Sequence, residues 1–320
     1  IRILCELPGV SGREDPVRDF IISQLPEGVS YETDALGNLY VEKKGAHRPK
    51  NKVVLFAHMD EVGLMITYIT DDGYLKFDEI GGIDPAVLIG RTVRLESGLV
   101  GVIALKALHL CEGDEDKKIP PIRELCIDIG AKDREEAEKY VALGSYAVYR
   151  SDYVEFGESR IKMKALDDRF GCALMLDLIR SDLAYDTTFV FTVQEEVGAR
   201  GAAAGAYTTT PDIAVILETT TAGDICGVEG ARRACVLGDG PVISYMDRGT
   251  VYDHGLYQLA MDTAKEHGIP AQTKTLVAGG NDSSSIQRTG AGSRVLAISA
   301  PTRYLHSPVD VLDRNDVENM

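Results

Sequence analysis

The chain has 320 residues, 44% hydrophobic and 26% charged, enough for about two domains with a sizeable buried core. That composition excludes a disordered chain, a collagen and a disulfide-framed mini-protein. The formal net charge of −16 argues against nucleic acid and anionic membrane surfaces as partners, and it supplies many oxygen donors for cations.

Ser11-Gly-Arg-Glu-Asp-Pro16 reads as a helix start with Ser11 as N-cap, and Val17, Phe20, Ile21 and Leu25 come after it at helical spacing. Tyr31 to Lys43 reads as two strands about a turn at residues 34–37. Lys52 to Ala57 is a compact apolar run, the mark of a buried strand. Between Gly63 and Phe156 the texture changes. Short β-like runs at residues 64–69, 92–95, 99–103 and 145–149 alternate with Gly and Asp turns, and one helix is expected over residues 134–143. After Arg160 an α/β rhythm returns. It predicts helices over residues 168–179 and 255–267, the second stopped by Gly268 and Pro270, and strands at 187–193, 213–217 and 294–298. The expected fold class is α/β, a mixed sheet flanked by helices with an inserted β-rich domain.

None of the six cysteines forms a Cys-x-x-Cys pair, which predicts reduced, mostly buried thiols rather than a disulfide framework or a thiolate zinc site. No run reaches the ~18 apolar residues of a membrane span, and the first residues form no signal peptide. The sequence opens on Ile1, so an N-terminal stretch is expected to be missing, and a cytoplasmic location is the default.

The informative pattern lies in the polar residues at the end of each apolar run. The first run leads into His58 and Asp60, the run at 187–193 into Glu195-Glu196, and the run at 213–217 into Glu218. After the last comes His306, and Asp167-Asp168 opens a helix. Open α/β sheets build sites at the carboxyl ends of their strands, so these residues are expected on one sheet edge. Taken singly, each has an ordinary explanation: a solvated acidic face, a helix cap or a satisfied core histidine. Together they suit two zinc, cobalt or manganese ions, which could activate a water and polarise a carbonyl. Within Glu195-Glu196 one carboxylate could hold metal and the other take the water's proton.

These residues sit in the segments 57–63 (Ala-His-Met-Asp-Glu-Val-Gly), 164–169 (Lys-Ala-Leu-Asp-Asp-Arg), 193–198 (Val-Gln-Glu-Glu-Val-Gly), 217–224 (Leu-Glu-Thr-Thr-Thr-Ala-Gly-Asp) and 304–308 (Tyr-Leu-His-Ser-Pro). In this order they make the chain resemble the M42 family of metallo-aminopeptidases over nearly its whole length. The resemblance implies a zinc-peptidase-like fold and five metal ligands: His58 and Glu218 on one ion, Glu196 and His306 on the other, Asp167 bridging. It implies Glu195 as general base, Asp60 as the acid that orients His58, and a cis bond at Asp167-Asp168. Position 218 is Glu where many relatives carry Asp, and the family's Gly-Thr-Asp loop reads Gly280-Asn-Asp282 here.

The expectation is a metallo-aminopeptidase, with two divalent ions (Zn or Co) per chain, that releases N-terminal residues from short peptides. The resemblance also implies a discontinuous catalytic domain (1–62 and 157–320), a dimerisation domain (63–156) and a homo-oligomer, a dodecamer built from dimers. A glycosidase using Glu195 and Glu196 is disfavoured, because its carboxyls must flank the scissile bond ~5–9.5 Å apart. A metal-binding scaffold without turnover would leave Glu195 idle.

Overall fold

A computed structural model describes residues 1–113 and 118–320. The chain opens with helices α1 (Arg2–Glu6) and α2 (Asp15–Ser23) and strands β1 (Ser30–Thr33), β2 (Leu39–Lys43) and β3 (Val53–His58). The next elements are β4 (Gly63–Ile69), β5 (Leu75–Ile80), α3 (Pro85–Leu88), β6 (Arg91–Leu95), β7 (Val100–Ile103), β8 (Ile127–Asp128), α4 (Arg134–Ala137) and β9 (Tyr146–Tyr149). Then come β10 (Val154–Phe156), β11 (Arg160–Met163), α5 (Leu166–Arg180), β12 (Thr187–Thr192), α6 (Arg200–Thr209) and β13 (Ile213–Thr221). The chain continues with β14 (Val242–Ile243), α7 (His254–His267), β15 (Gln272–Thr273), α8 (Ser283–Gln287), β16 (Arg294–Thr302), β17 (Asp310–Asp313) and α9 (Arg314–Glu318).

Eight strands form one mixed sheet in the order β1-β2-β12-β3-β13-β16-β14-β15. Its four central strands, β12, β3, β13 and β16, run parallel. Their residues read as apolar runs because helices cover both faces. On one face Val17 and Ile21 of α2 and Cys172, Met175 and Ile179 of α5 pack against Ala57, Phe189 and Phe191. On the other, Ala202 and Ala206 of α6 and Ile286 of α8 pack against Phe56, Val190 and Ile216. Successive residues such as Phe56 and Ala57 point to opposite layers, as the pleat requires.

The segment expected to be β-rich closes into a six-stranded barrel, β4-β5-β8-β7-β6-β9, with its own core of Leu64, Ile66, Leu75, Phe77, Val93 and Ile127 among others. After it, β10, β11 and β17 form a small antiparallel sheet.

Three local expectations need correction. Ser11 caps no helix: α2 begins later, with Glu14 at the N-cap position, and Ser11 turns inward. The helix expected over 134–143 stops at Ala137. Tyr140 and Leu143 are exposed while Val141 is drawn into the barrel core, so these residues present no helical apolar face. Strand β13 runs on past Leu217 to Thr221, which puts Glu218 inside the strand.

Candidate metal centre

Because the central strands are parallel, their carboxyl ends lie along one edge, and the acidic and histidine residues gather there. His58 ends β3, and its side chain is 1% exposed. Its Nδ1 lies 3.1 Å from the Asp60 carbonyl oxygen. Its Nε2 lies 3.2 Å from Asp167 Oδ1 and 3.7 Å from Glu218 Oε1. A proton on Nδ1, donated to Asp60, leaves Nε2 free to bind a cation.

His306 repeats the arrangement from the other side. Its Nδ1 lies 2.7 Å from the carbonyl oxygen of Gly82, just beyond barrel strand β5. Its Nε2 lies 3.2 Å from Glu196 Oε2 and 3.6 Å from Asp167 Oδ2. The two oxygens of Asp167 therefore face the two histidines, one each. The Asp167-Asp168 peptide is cis, and both residues have non-helical backbone angles, so the regular part of α5 starts at Arg169.

Asp60 is fully buried and organises the adjoining loop. It accepts hydrogen bonds from Ser11 Oγ at 2.6 Å, Glu195 N–H at 3.0 Å and Glu196 N–H at 3.2 Å. Gln194 takes a left-handed φ of 56° just before this pair, turning the chain away from β12 so that both glutamates line the cavity. That cavity, about 480 Å³, is also lined by Asp167, Glu218, Tyr304 and His306, with the Gly279-Gly280-Asn281 loop at its side.

Burial and charge set the protonation of these groups. Burial pushes the Glu196 and Glu218 carboxyls up to about 8, aided by the Asp167 charge and partly offset by the histidines. Burial likewise holds Glu195 and Asp168 well above the carboxylate range. Asp167 falls below it, because hydrogen bonds and charge from His306 and His58 outweigh its burial. Burial alone would lower His306, but its acidic neighbours raise it to about 10. Carboxylates outnumber the histidines, and Oδ1 of buried Asp168 has no hydrogen-bond partner. Imidazole plus carboxylate without thiolate is a donor set for zinc, cobalt or manganese, so the residues present fit divalent cations. Among the described residues, donor atoms of His58, Asp167 and Glu196 lie within 4.8 Å of one another, as do those of His58, Asp168 and Glu218.

All seven residues singled out from the sequence converge here: His58, Asp60, Asp167, Glu195, Glu196, Glu218 and His306. The sequence reading placed Asp168 beside Asp167 but gave it no role; its Oδ2 accepts the His58 N–H at 3.2 Å. Nor did that reading foresee buried Asp310 beneath His306, Asp282, which accepts from Thr192 Oγ1, or Lys274 in the cavity wall. Their partners are distant in sequence, and only Asp282 stood in a segment the sequence reading had named, the Gly280-Asn-Asp282 loop. His47, His109, His254 and His267 are exposed and stand apart from the centre. All six cysteines are free, and Cys5, Cys172 and Cys235 are buried.

A family model described as M42 glutamyl aminopeptidase matches residues 37–320. A chain from Acetivibrio thermocellus is 41% identical over 314 residues, 97% of this chain and 92% of that one. The lysyl aminopeptidase of Pyrococcus furiosus is 33% identical, covering 99% and 92%. Among solved structures, the aminopeptidase APDkam598 of Desulfurococcus kamchatkensis superposes with a TM-score of 0.91 at 36% identity, covering 99% and 90%. The Pyrococcus horikoshii TET1 peptidase, which can assemble into a tetrahedron or a large octahedral shell, gives 0.86 at 37% identity, covering 99% and 94%. An M18-family aminopeptidase of Thermotoga maritima, 16% identical, shares the fold with a TM-score of 0.75 over 96% of this chain and 90% of that one.

Proposed function

The chain belongs to the M42 glutamyl aminopeptidase family and is an aminopeptidase, and on that premise we propose that it works with two divalent cations, zinc or cobalt, to release N-terminal residues from short peptides. The observation that carries this reading is Asp167, whose two oxygens face His58 and His306. His58 and Glu218 would hold one cation, Glu196 and His306 the other, with Asp167 shared between them. The cations would supply Lewis-acid polarisation of the scissile carbonyl and a lowered pKa for a nearby water.

The chain's own residues do the rest. Glu195 takes the attacking water's proton and returns it to the departing amine. Its buried, acid-rich surroundings raise its affinity for that proton. Asp60 fixes the His58 ring and, through two backbone N–H groups, the direction of the glutamate pair. The excess of carboxylates suits the free ammonium of a peptide N-terminus.

The reading extends to assembly: residues 1–62 and 157–320 as the catalytic unit, 63–156 as a dimerisation unit, and a dodecamer built from dimers. The tetrahedral assembly of the TET1 peptidase supports it. A cytoplasmic site of action accords with the six free thiols.

Metal analysis of the loaded protein should approach two ions per chain. Glu195→Gln should lower kcat on aminoacyl-p-nitroanilides by about 10²–10⁴-fold while metal stays bound. Saturation at one ion would refute the paired centre. A near-normal kcat in Glu195→Gln would refute the assigned base.

A further inference from the structure

The segment Ser11-Gly-Arg-Glu14 reads as a helix start, yet the structure turns it toward the centre. The loop that carries Glu195 and Glu196 leaves β12 with four consecutive backbone N–H groups, and each is taken by a side-chain oxygen. Val193 N–H donates to Asn38 Oδ1 at 3.0 Å, and Gln194 N–H to Glu14 Oε1 at 3.1 Å. The N–H groups of Glu195 and Glu196 donate to the two oxygens of Asp60. The carbonyls of residues 193–195 accept in turn from N–H groups of residues 198–201. From 193 to 195 both sides of the backbone are thus paired without a strand partner, and the three acceptor side chains all precede the barrel.

This anchoring answers a local strain. Gln194 has a left-handed φ of 56°, which a residue other than glycine holds only under constraint. The chain must turn there all the same. An extended continuation of β12 would send Glu195 and Glu196 to opposite sides of the strand, whereas both line one cavity.

Glu14 supplies the bond at the strained residue itself. It stands at the N-cap position of α2, where a side chain ordinarily accepts from the first turn of its own helix. Among the described residues its carboxylate makes no such bond. Its Oε1 accepts instead from Gly12 N–H at 2.7 Å and from Gln194. Only 4% of Glu14 is exposed, and burial, with the charge of Asp60, pushes its carboxyl up to about 7. Ionised at neutral pH, a carboxyl so placed works against stability, so the fold gains little from it as a cap.

We propose that Glu14 is a positioning residue for the hydrolysis: it pins Gln194 in the left-handed turn and so keeps the Glu195 carboxylate aimed into the cavity. Glu14 is not itself among the cavity-lining residues. The inference rests on the reading of Glu195 as the base.

The test compares metal-loaded wild-type protein with Glu14→Asp and Glu14→Gln on the aminoacyl-p-nitroanilide that the wild type cleaves best. Glutamine keeps an acceptor oxygen at the same reach, so Glu14→Gln should stay near the wild-type kcat. Aspartate is one methylene too short to hold Gln194 but is the better helix cap. Glu14→Asp should therefore lower kcat about 10–100-fold, with KM, bound metal and melting temperature near the wild-type values. In a Glu195→Gln background the same change should have almost no further effect, because no base is left to aim. A near-normal kcat in Glu14→Asp would overturn the proposal, as would an equal loss in Glu14→Gln. Glu14→Asp protein that fails to fold or melts far lower would assign the residue to the fold, and one that loses metal in step with activity would assign it to the cations; either defeats the positioning role. So would an equal fold-loss with and without Glu195. Near-normal kcat in Glu195→Gln alone would instead overturn the base reading, and this inference with it.

Discussion

Asp60 uses one carboxylate to hold the Ser11 hydroxyl and the N–H groups of two adjacent glutamates, while its carbonyl oxygen faces the His58 ring. A histidine two residues before an acid after an apolar strand was legible as a site from the sequence alone. The inward turn of Ser11 was not, because Asp60 lies 49 positions away and no local signal separates a capping serine from one with a distant partner. At this scale protonation has a direct consequence. With cations removed, Glu196 and Glu218 have folded pKa values near 8, above an ordinary glutamate near 4.5. The folded state then binds more protons than the unfolded one between those values, so stability falls as pH rises through that window. His306, raised to about 10, acts in the same direction, since its contribution is lost as pH climbs from 6.5 toward that value. Chelator-treated protein should therefore melt at lower temperature at pH 9 than at pH 6, and added zinc or cobalt should raise the melting temperature more at pH 9. A chelated protein more stable at pH 9 would contradict the buried-acid account.

Helix α5 shows how one element carries two demands. Its apolar spacing revealed its extent, while the acid pair at its start read either as a capped terminus or, by the family resemblance, as site residues. The structure turns Asp167 toward the histidines and tucks Asp168 back over the first turn. Gly171 makes this fit: a Cβ there would lie 2.5 Å from both Asp168 carboxylate oxygens. Alanine is the better helix former by about 1 kcal/mol, so propensity alone predicts that Gly171→Ala stabilises. The clash predicts the reverse, a loss of about 1–3 kcal/mol typical of overpacking. Denaturant unfolding decides between them, and an unchanged or higher midpoint would show that Asp168 can move away without cost.

Across the whole molecule, the break in rhythm after Gly63 revealed a β-rich insert, but not its closure, which depends on pairings such as β4 with β9 that no local pattern encodes. The barrel has its own core, consistent with a separable assembly module. Replacing residues 64–149 with a short linker should convert an oligomer into a monomer by light scattering. It should also cost activity, since the Gly82 carbonyl that steadies His306 would go with it. Identical particle masses for the intact and shortened chains would remove the insert from assembly.

Strand β16 pairs with β13 along nine residue positions and leads directly to the loop bearing His306. It is the last strand to join the main sheet. While the polypeptide is being made on the ribosome, the barrel can close early, because all its strands emerge together. The candidate metal centre cannot: it waits for β16 to dock beside β13, whose paired residues lie about eighty positions earlier, a non-local step of the kind that slows folding. A chain that ends before β16 therefore lacks His306 and the strand that leads to it, and cannot assemble the candidate centre.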